Sequence, residues 1–96
     1  MKLKLKNFGS VLTSRQDGRE AFLAIQPILK DLSKKDVLII DFKNIGSLSP
    51  SWAEEFFIPL LKTYKKSFVF ENVDNPSAKM TLSFLEKINS VKFNIK

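Results

Sequence analysis

The feature that most constrains this chain is the stretch at residues 37–56, where a strand pattern passes directly into a helix start. Its first six residues, VLIIDF, are apolar on both faces, which is typical of a central strand with parallel neighbours. After a tight connection, Ser49 precedes Pro50, the order expected of a helix cap and a first helical residue. Ser51 and Glu54 would form a capping box as an alternative start. The stretch therefore predicts a strand followed at once by a helix.

Strand and helix patterns also alternate through the rest of the chain. Residues 2–8 alternate leucine with lysine, which predicts a half-buried strand near a sheet edge, and residues 11–13 are expected to return as the second strand of a hairpin. A first helix is predicted from Asp17 or Gly18 to Leu32, after which residues 33–36 form a turn. The apolar residues at helical spacing on its inner face are Ala21, Phe22, Ile25, Ile28, Leu29 and Leu32.

The second half of the chain predicts two more helices, each followed by a strand. The second helix ends at residues 65–67, a buried strand covers residues 68–70, and Asn75 before Pro76 begins a third helix. We expect kinks at prolines inside the first two helices, Pro27 and Pro59. The inner face of the second helix is formed by Ala53, Phe56, Phe57, Leu60, Leu61 and Tyr64. The third helix has an apolar stripe with two further apolar residues on its flank: Ala78, Leu82, Leu85 and Ile88, then Met80 and Phe84.

Together these patterns predict one α/β domain over residues 1–96. Residues 91–95 alternate again and would add a final, half-exposed strand. The expected fold is a mixed or mostly parallel sheet of four to five strands with about three main helices. With 44% hydrophobic residues and nine phenylalanines, the chain can bury one core.

Composition argues against an enzyme. The chain has no cysteine and no histidine, so thiolate chemistry and the commonest general base and metal ligand are both missing. It has no glycine-rich phosphate loop and no metal-spaced cluster of side chains. We therefore predict no catalytic residues, no metal and no cofactor. No apolar run of about 18 residues occurs, so we expect no transmembrane segment and a cytoplasmic protein.

The formal charge of +6 leaves a second function open. The lysines are spread along the chain and only two arginines are present, which indicates a solvated surface rather than a nucleic-acid site. A basic nucleic-acid or membrane-surface binder is the alternative. It would combine lysines of the first and last strands, which must then be neighbours, with Asn94 on the same side: Lys2, Lys4, Lys6, Lys92 and Lys96.

Candidate functional residues cluster around the start of the second helix. Ser49 and Ser51 are helix caps in one interpretation and phosphorylation sites in the other. Asp41 ends a buried strand, where it is either a functional acid or a turn acceptor. Trp52 is either a partly exposed interface anchor or a core residue. Glu54 and Glu55 are suited to the positive N-terminal end of the helix dipole, so we do not interpret them as a catalytic acid/base pair.

Several of these motifs resemble a known family. They are residues 13–15 (TSR), Gly18, residues 41–45 (DFKNI), residues 48–56 (LSPSWAEEF) and residues 70–72 (FEN). Together they resemble the small prokaryotic STAS-like domain of unknown function, over residues 8–88. That family is related to anti-sigma-factor antagonists, in which a strand-end aspartate precedes a loop with Asp-Ser-Ser-Gly. In the antagonists a kinase of the histidine-kinase-like ATPase fold phosphorylates the second serine.

The resemblance implies a regulatory, bacterial protein-interaction domain. It places the strand-end acid at Asp41 and the phosphorylated serine at Ser51, with a switch kinase as the possible partner. Ser49, Pro50 and Trp52 differ from the antagonist loop, and Trp52 would reshape the docking surface. The surface implied for the partner comprises Asn44, Ser47, Trp52 and Glu55. A small-ligand or anion-binding module at the same helix start is a further alternative, which a cavity lined by phenylalanines would favour.

Overall fold

The computed structural model describes residues 1–33, 35–64 and 67–96. Within these residues, five strands and three α-helices follow one another: β1 (Lys2–Lys4), β2 (Val11–Leu12), α1 (Arg15–Lys30), β3 (Val37–Asp41), β4 (Ser47–Leu48), α2 (Pro50–Thr63), β5 (Ser67–Glu71) and α3 (Pro76–Asn89). The predicted turn at residues 33–36 and the predicted helix end at residues 65–67 include positions outside the described residues.

The main sheet has three parallel strands in the order β1-β3-β5. Ile40 of β3 pairs with Leu3 on one side and with Phe70 on the other. Leu38 and Ile40 are almost completely buried, as expected for an apolar strand between two neighbours. The α/β class is confirmed, with β3 central and β1 at the sheet edge.

The predicted hairpin at the start of the chain is wrong. After β1 the chain forms a 3₁₀ helix, Leu5–Phe8, which turns Leu5 into the core. Gly9 then adopts a φ of 124°, a backbone conformation that glycine accepts without steric cost. β2 therefore leaves the main sheet and pairs in parallel with β4 to form a second, two-stranded sheet.

Side-chain caps set the start of each helix. Ser14 Oγ accepts a hydrogen bond from the amide of Asp17, so α1 begins at Arg15, two residues earlier than the first predicted start. Ser49 caps α2, as predicted, and the alternative capping box of Ser51 with Glu54 does not form. Asn75 caps α3 in the same way. Both internal prolines lie within continuous helices, and no described helix is long and apolar enough to cross a membrane.

Helix α2 is at the centre of the helical layer and packs against both α1 and α3. The backbones of α1 and α2 approach closely at Gly18, where a Cβ atom in place of the glycine hydrogen would lie 2.9 Å from Trp52 Cα. Beneath α2, aromatic rings fill the core, with Phe57 5.0 Å from Phe56 and 5.1 Å from Phe70 between ring centroids. This packing disfavours the small-ligand alternative, because these phenylalanines contact one another rather than line a cavity.

The end of the chain lies at the edge of the sheet opposite β1. Residues 91–95 do not form the predicted strand; Ile95 makes a single parallel bridge with Phe70 of β5. Since β3 and β5 separate β1 from this segment, the first and last predicted strands are not neighbours. The continuous basic face proposed for Lys2, Lys4, Lys6, Lys92 and Lys96 is therefore not formed.

Candidate partner-binding site at the start of helix α2

Asp41 ends β3 and holds the following connection in place. The residue is only 5% exposed, and its Oδ1 accepts hydrogen bonds from the Lys43 amide at 3.0 Å and from Asn72 Nδ2 at 2.7 Å. Lys2 Nζ lies 3.7 Å from Asp41 Oδ2 and 2.6 Å from Glu71 Oε1. Both oxygens of Asp41 are thus occupied by groups of the protein itself.

These contacts keep Asp41 ionised. Burial, the largest single effect, would raise the pKa of Asp41, but the hydrogen bonds from Asn72 and Lys43 together with the charges of Lys2 and Lys4 outweigh it. The net result is a pKa below the usual value. The Glu71 carboxylate, by its hydrogen bond, raises the pKa of Lys2 despite some desolvation. Of the two interpretations of Asp41, the structure supports the acceptor that fixes a turn.

The loop between β3 and α2 is anchored through its backbone. Asn75 Nδ2 donates to the carbonyl oxygens of Ile45 and Gly46, at 3.1 and 3.0 Å. Ser47 lies in β4, where its amide donates to Ser10. Asn44, at the exposed tip of the loop, has a φ of 65°, in the left-handed region that asparagine tolerates better than most residues. The loop therefore presents Asn44 to solvent on a fixed backbone.

Ser49 and Ser51 have different roles in the structure. Ser49 Oγ accepts a hydrogen bond from the Trp52 amide at 3.2 Å and donates one to the Thr13 carbonyl at 2.7 Å. Ser51 is half-buried, and its hydroxyl makes no hydrogen bond with any described residue. Helix capping thus explains the position of the Ser49 hydroxyl. The hydroxyl of Ser51, two residues further along the chain, has no such structural role among the described residues.

Trp52 belongs to the core. It is 1% exposed, and its ring centroid lies 4.8 Å from that of Phe56 and 6.1 Å from that of Phe8. Phe8 comes from the 3₁₀ helix, which covers the indole from outside. Of the two interpretations of Trp52, the structure therefore supports the core residue and excludes the partly exposed anchor, because a distant segment buries the side chain. Trp52 therefore contributes to the site only through core packing beneath the start of α2.

The two glutamates point to opposite neighbours of α2. Glu55 Oε1 lies 3.5 Å from Arg15 Nη1 of α1, and both side chains are partly exposed. Such a surface pair contributes little to stability. Glu54 Oε2 accepts a hydrogen bond of 3.5 Å from Asn89 Nδ2 of α3. Glu55 is therefore on the α1 side of α2, away from the surface between α2 and α3.

Sequence reasoning missed an apolar groove between the start of α2 and α3. Its volume is about 510 Å³, and its walls include Ser47, Ser49 and Pro50 on one side and Met80 and Phe84 on the other. Met80 is 74% exposed and Phe84 49% exposed. The sequence feature that could have revealed the groove was the position of Met80 and Phe84. They are four residues apart on the flank of the apolar stripe of α3, outside its buried face. Ser47 and Ser49, two of the predicted site residues, therefore line the same groove as the exposed apolar side chains of Met80 and Phe84.

The polar groups in the groove floor are all paired within the protein. Thr81 Oγ1 donates to the Leu48 carbonyl at 2.6 Å. Ser77 Oγ donates to the same carbonyl and accepts from the Leu48 amide, at 3.2 and 3.1 Å. A molecule that enters the groove therefore finds the hydroxyls of Thr81 and Ser77 already paired within the protein.

The parallel sheet, the three helices and the serine-capped helix after the central strand define an α/β domain. The sequence matches the family described as STAS-like domain of unknown function (DUF4325) over residues 25–78, more than half of the chain. The chain belongs to this family. Searches of curated proteins and of solved structures gave no match.

Proposed function

We propose that this chain is a non-enzymatic, regulatory protein-interaction domain whose binding is switched by phosphorylation of Ser51. The observation that carries the proposal is the difference between the two serines. Ser49 is held by two hydrogen bonds as the cap of α2, whereas the hydroxyl of Ser51 makes none with the described residues and is partly accessible. Phosphorylation of Ser51 would therefore break no hydrogen bond of the fold.

Helix geometry supports Ser51 as the modified residue. Ser51 is the second residue of α2, within the first turn, where the helix dipole favours negative charge. A phosphate there would be accommodated by the fold while it adds about two negative charges to the surface. It would follow directly on Pro50, which lines the apolar groove. The added charge would weaken an apolar contact formed at this place.

The proposed partner surface combines the loop tip, the groove wall and the outer side of α2. Asn44 and Ser47 belong to the loop and β4, and Glu55 is on the α1 side of the same helix start. Trp52 shapes the surface only indirectly, from the core. The relation of the family to anti-sigma-factor antagonists, which the sequence resemblance implied, suggests an ATP-binding switch kinase as the partner.

Quantitative affinity capture from the native host tests the proposal. Wild type, Ser51→Ala and Ser51→Asp would be compared with Gln16→Asp, which places the same charge at the second residue of α1. We expect Ser51→Ala and Gln16→Asp to recover the partner as wild type does, and Ser51→Asp to recover about tenfold less, equivalent to about 1.4 kcal/mol. Equal recovery by Ser51→Asp and wild type would refute the switch. Trp52→Ala is unsuitable as a variant, because it removes a core side chain.

A further inference from the structure

We propose that the cavity at the carboxyl ends of β1 and β3 binds a small molecule through a phosphate monoester group. The cavity has a volume of about 340 Å³, and its lining combines three lysines with two asparagines and the buried strand-end acid: Lys4, Lys6, Lys43, Asn7, Asn44 and Asp41. This site differs from the small-ligand alternative at the start of α2, because lysine and asparagine line it rather than phenylalanine. It also does not depend on Ser51, and so it goes beyond the proposed function.

The cavity forms where two neighbouring strands end at the same level. Lys4, the last residue of β1, is paired in register with Asp41, the last residue of β3. Beyond these residues the pairing of the two strands stops, because Leu5 begins the 3₁₀ helix and β3 leads into the loop that carries Asn44. The cavity therefore lies outside the carboxyl ends of parallel strands, which is where open α/β sheets bind their ligands.

The lysine and asparagine side chains around this cavity are unpaired within the described part of the chain. None of the three lysine ammonium groups forms an ion pair or a hydrogen bond with a described residue, and the side-chain amides of Asn7 and Asn44 form none either. All five side chains are exposed, so their donors are available to a bound molecule. The apolar groove differs in this respect, since the hydroxyls of Thr81 and Ser77 are paired within the protein.

Lysines outnumber carboxylates around the cavity. Four lysines, the three of the lining and Lys2, meet two carboxylates, which leaves an excess of two positive charges. Lys2 pairs with both acids, at 3.7 Å from Asp41 Oδ2 and 2.6 Å from Glu71 Oε1. Asp74, which follows β5, lines the neighbouring cavity and not this one. The three lining lysines therefore have no carboxylate partner of their own.

This excess matches the charge of a phosphate monoester, which is about −1.5 to −2 at pH 7. Lysine ammonium groups bind phosphate as point charges. A carboxylate carries only one charge and is best held by the paired donors of arginine, and none of the described lining residues is an arginine. The volume is near the lower end of the range of about 300–1,000 Å³ for small-ligand sites. The neighbouring cavity of about 470 Å³, which shares Lys43 and Asn44, leaves room for the rest of the molecule.

Titration of the isotope-labelled chain at constant ionic strength, followed by amide NMR, tests the inference. We expect inorganic phosphate and glycerol phosphate to give saturable shifts centred on Lys6, Lys43 and Asn44, and glycerol, acetate and chloride to give much smaller ones. Lys6→Met and Lys43→Met should each weaken phosphate binding about tenfold, since each removes a charge-assisted hydrogen bond. Lys62→Met is the matched control and should leave the affinity unchanged, because Lys62 is an exposed lysine of α2 outside the cavity.

A lipid arm distinguishes a free phosphate monoester from a phospholipid headgroup. The chain should not sediment with phosphatidylcholine vesicles, with or without phosphatidic acid, because the described lining contains no apolar residue that could insert beside a headgroup. Sedimentation with phosphatidic acid in the absence of shifts from free phosphate would overturn the assignment. Shifts spread evenly over the exposed lysines, or phosphate affinity unchanged in both Lys6→Met and Lys43→Met, would overturn it as well. None of these results bears on Ser51, so the proposed function is tested separately.

Discussion

Individual polar side chains near the start of α2 either hold the fold or remain available. Asp41 and Asn75 bond backbone groups of the connection between β3 and α2, and Ser49 ties the end of this connection to the Thr13 carbonyl. Ser51 does not take part in this network. A functional change at Ser51 can therefore act on binding without first disturbing the loop, whereas a change at Asp41 acts on the fold.

The buried carboxylate of Asp41 leads to a prediction about pH. We expect Asp41→Asn to lower the free energy of unfolding at pH 7 by about 1–2 kcal/mol, because the amide oxygen accepts hydrogen bonds more weakly than the carboxylate. The folded-state pKa of Asp41 lies below the usual 3.8, so the carboxylate stabilises the fold above that pH. This contribution is lost as the pH falls through the folded-state pKa.

Urea unfolding followed by the fluorescence of the single tryptophan, Trp52, measures this effect. The difference in unfolding free energy between wild type and Asp41→Asn should be constant from pH 7 to pH 5 and should shrink below pH 4. A difference that grows as the pH falls would contradict the assignment of Asp41 as an ionised acceptor.

Among the secondary-structure elements, α2 is the one that joins the packing of the domain to the proposed partner surface. Its N-terminus is fixed by Ser49, its inner face supplies the aromatic core, and its two sides contact α1 and α3. Displacement of α2 would change the groove and the core together.

The two serines at the start of α2 should differ in their effect on stability. We expect Ser49→Ala to lower the free energy of unfolding by about 1–2 kcal/mol, since it removes a helix cap and a hydrogen bond to Thr13. Ser51→Ala should change it by less than about 0.5 kcal/mol. Chemical denaturation of both variants is the measurement, and a loss at Ser51 as large as that at Ser49 would show that Ser51 is structural.

The contact between α1 and α2 gives a second prediction for these elements. Alanine favours a helix over glycine by about 1 kcal/mol, yet we expect Gly18→Ala to lower the unfolding free energy by about 1–3 kcal/mol. A Cβ atom there would lie 2.9 Å from Trp52 Cα, so the two helices would have to move apart. Gly46→Ala is the control, since its Cβ atom would approach no closer than 3.4 Å to another atom. A thermal melt in which Gly18→Ala is more stable than wild type would disprove the close approach.

Over the whole molecule, the positive charge is distributed rather than concentrated. The lysines of β1 and those near the chain end lie at opposite edges of the sheet, and Lys2 is already paired with Asp41 and Glu71. Although the net charge is +6, these lysines do not share one face of the described surface.

This distribution predicts weak binding to nucleic acid. Fluorescence anisotropy with a duplex of about 20 base pairs, repeated at several salt concentrations, should give a slope of log K against log salt no steeper than about −2, equivalent to about two phosphate contacts. Charge reversal at Lys92 should not change this slope. A slope of about −4 or steeper, reduced by changes at both ends of the chain, would instead support the basic-surface alternative.

The sequence predicted the elements that local patterns determine and failed where distant segments meet. Ser49 before Pro50 correctly marked the start of α2, and the apolar run after Val37 correctly marked the central strand. The sequence left the burial of Trp52 open, because Phe8 covers it from a 3₁₀ helix more than forty positions away. The pairing of β2 with β4 is only two residues long and leaves no periodic signal. The bond from Asn72 to Asp41 likewise joins the ends of two strands.

The same reason limited the prediction of the candidate site. Ser47 and Ser49 were identified from the helix start, and the structure places both in the groove wall. Met80 and Phe84 were recognised only as flanking residues of an apolar stripe. Their place opposite Ser49 depends on how α3 packs against α2 and β4, which no local pattern contains.

Phosphopeptide mapping of this chain, isolated from its native host during growth and under starvation, tests the central claim most directly. The account predicts a phosphate on Ser51 whose occupancy differs between the two conditions, and none on Ser49, because the Ser49 hydroxyl is held by the Thr13 carbonyl and the Trp52 amide. Phosphate on Ser49 instead, or an unmodified Ser51 in both conditions, would contradict it.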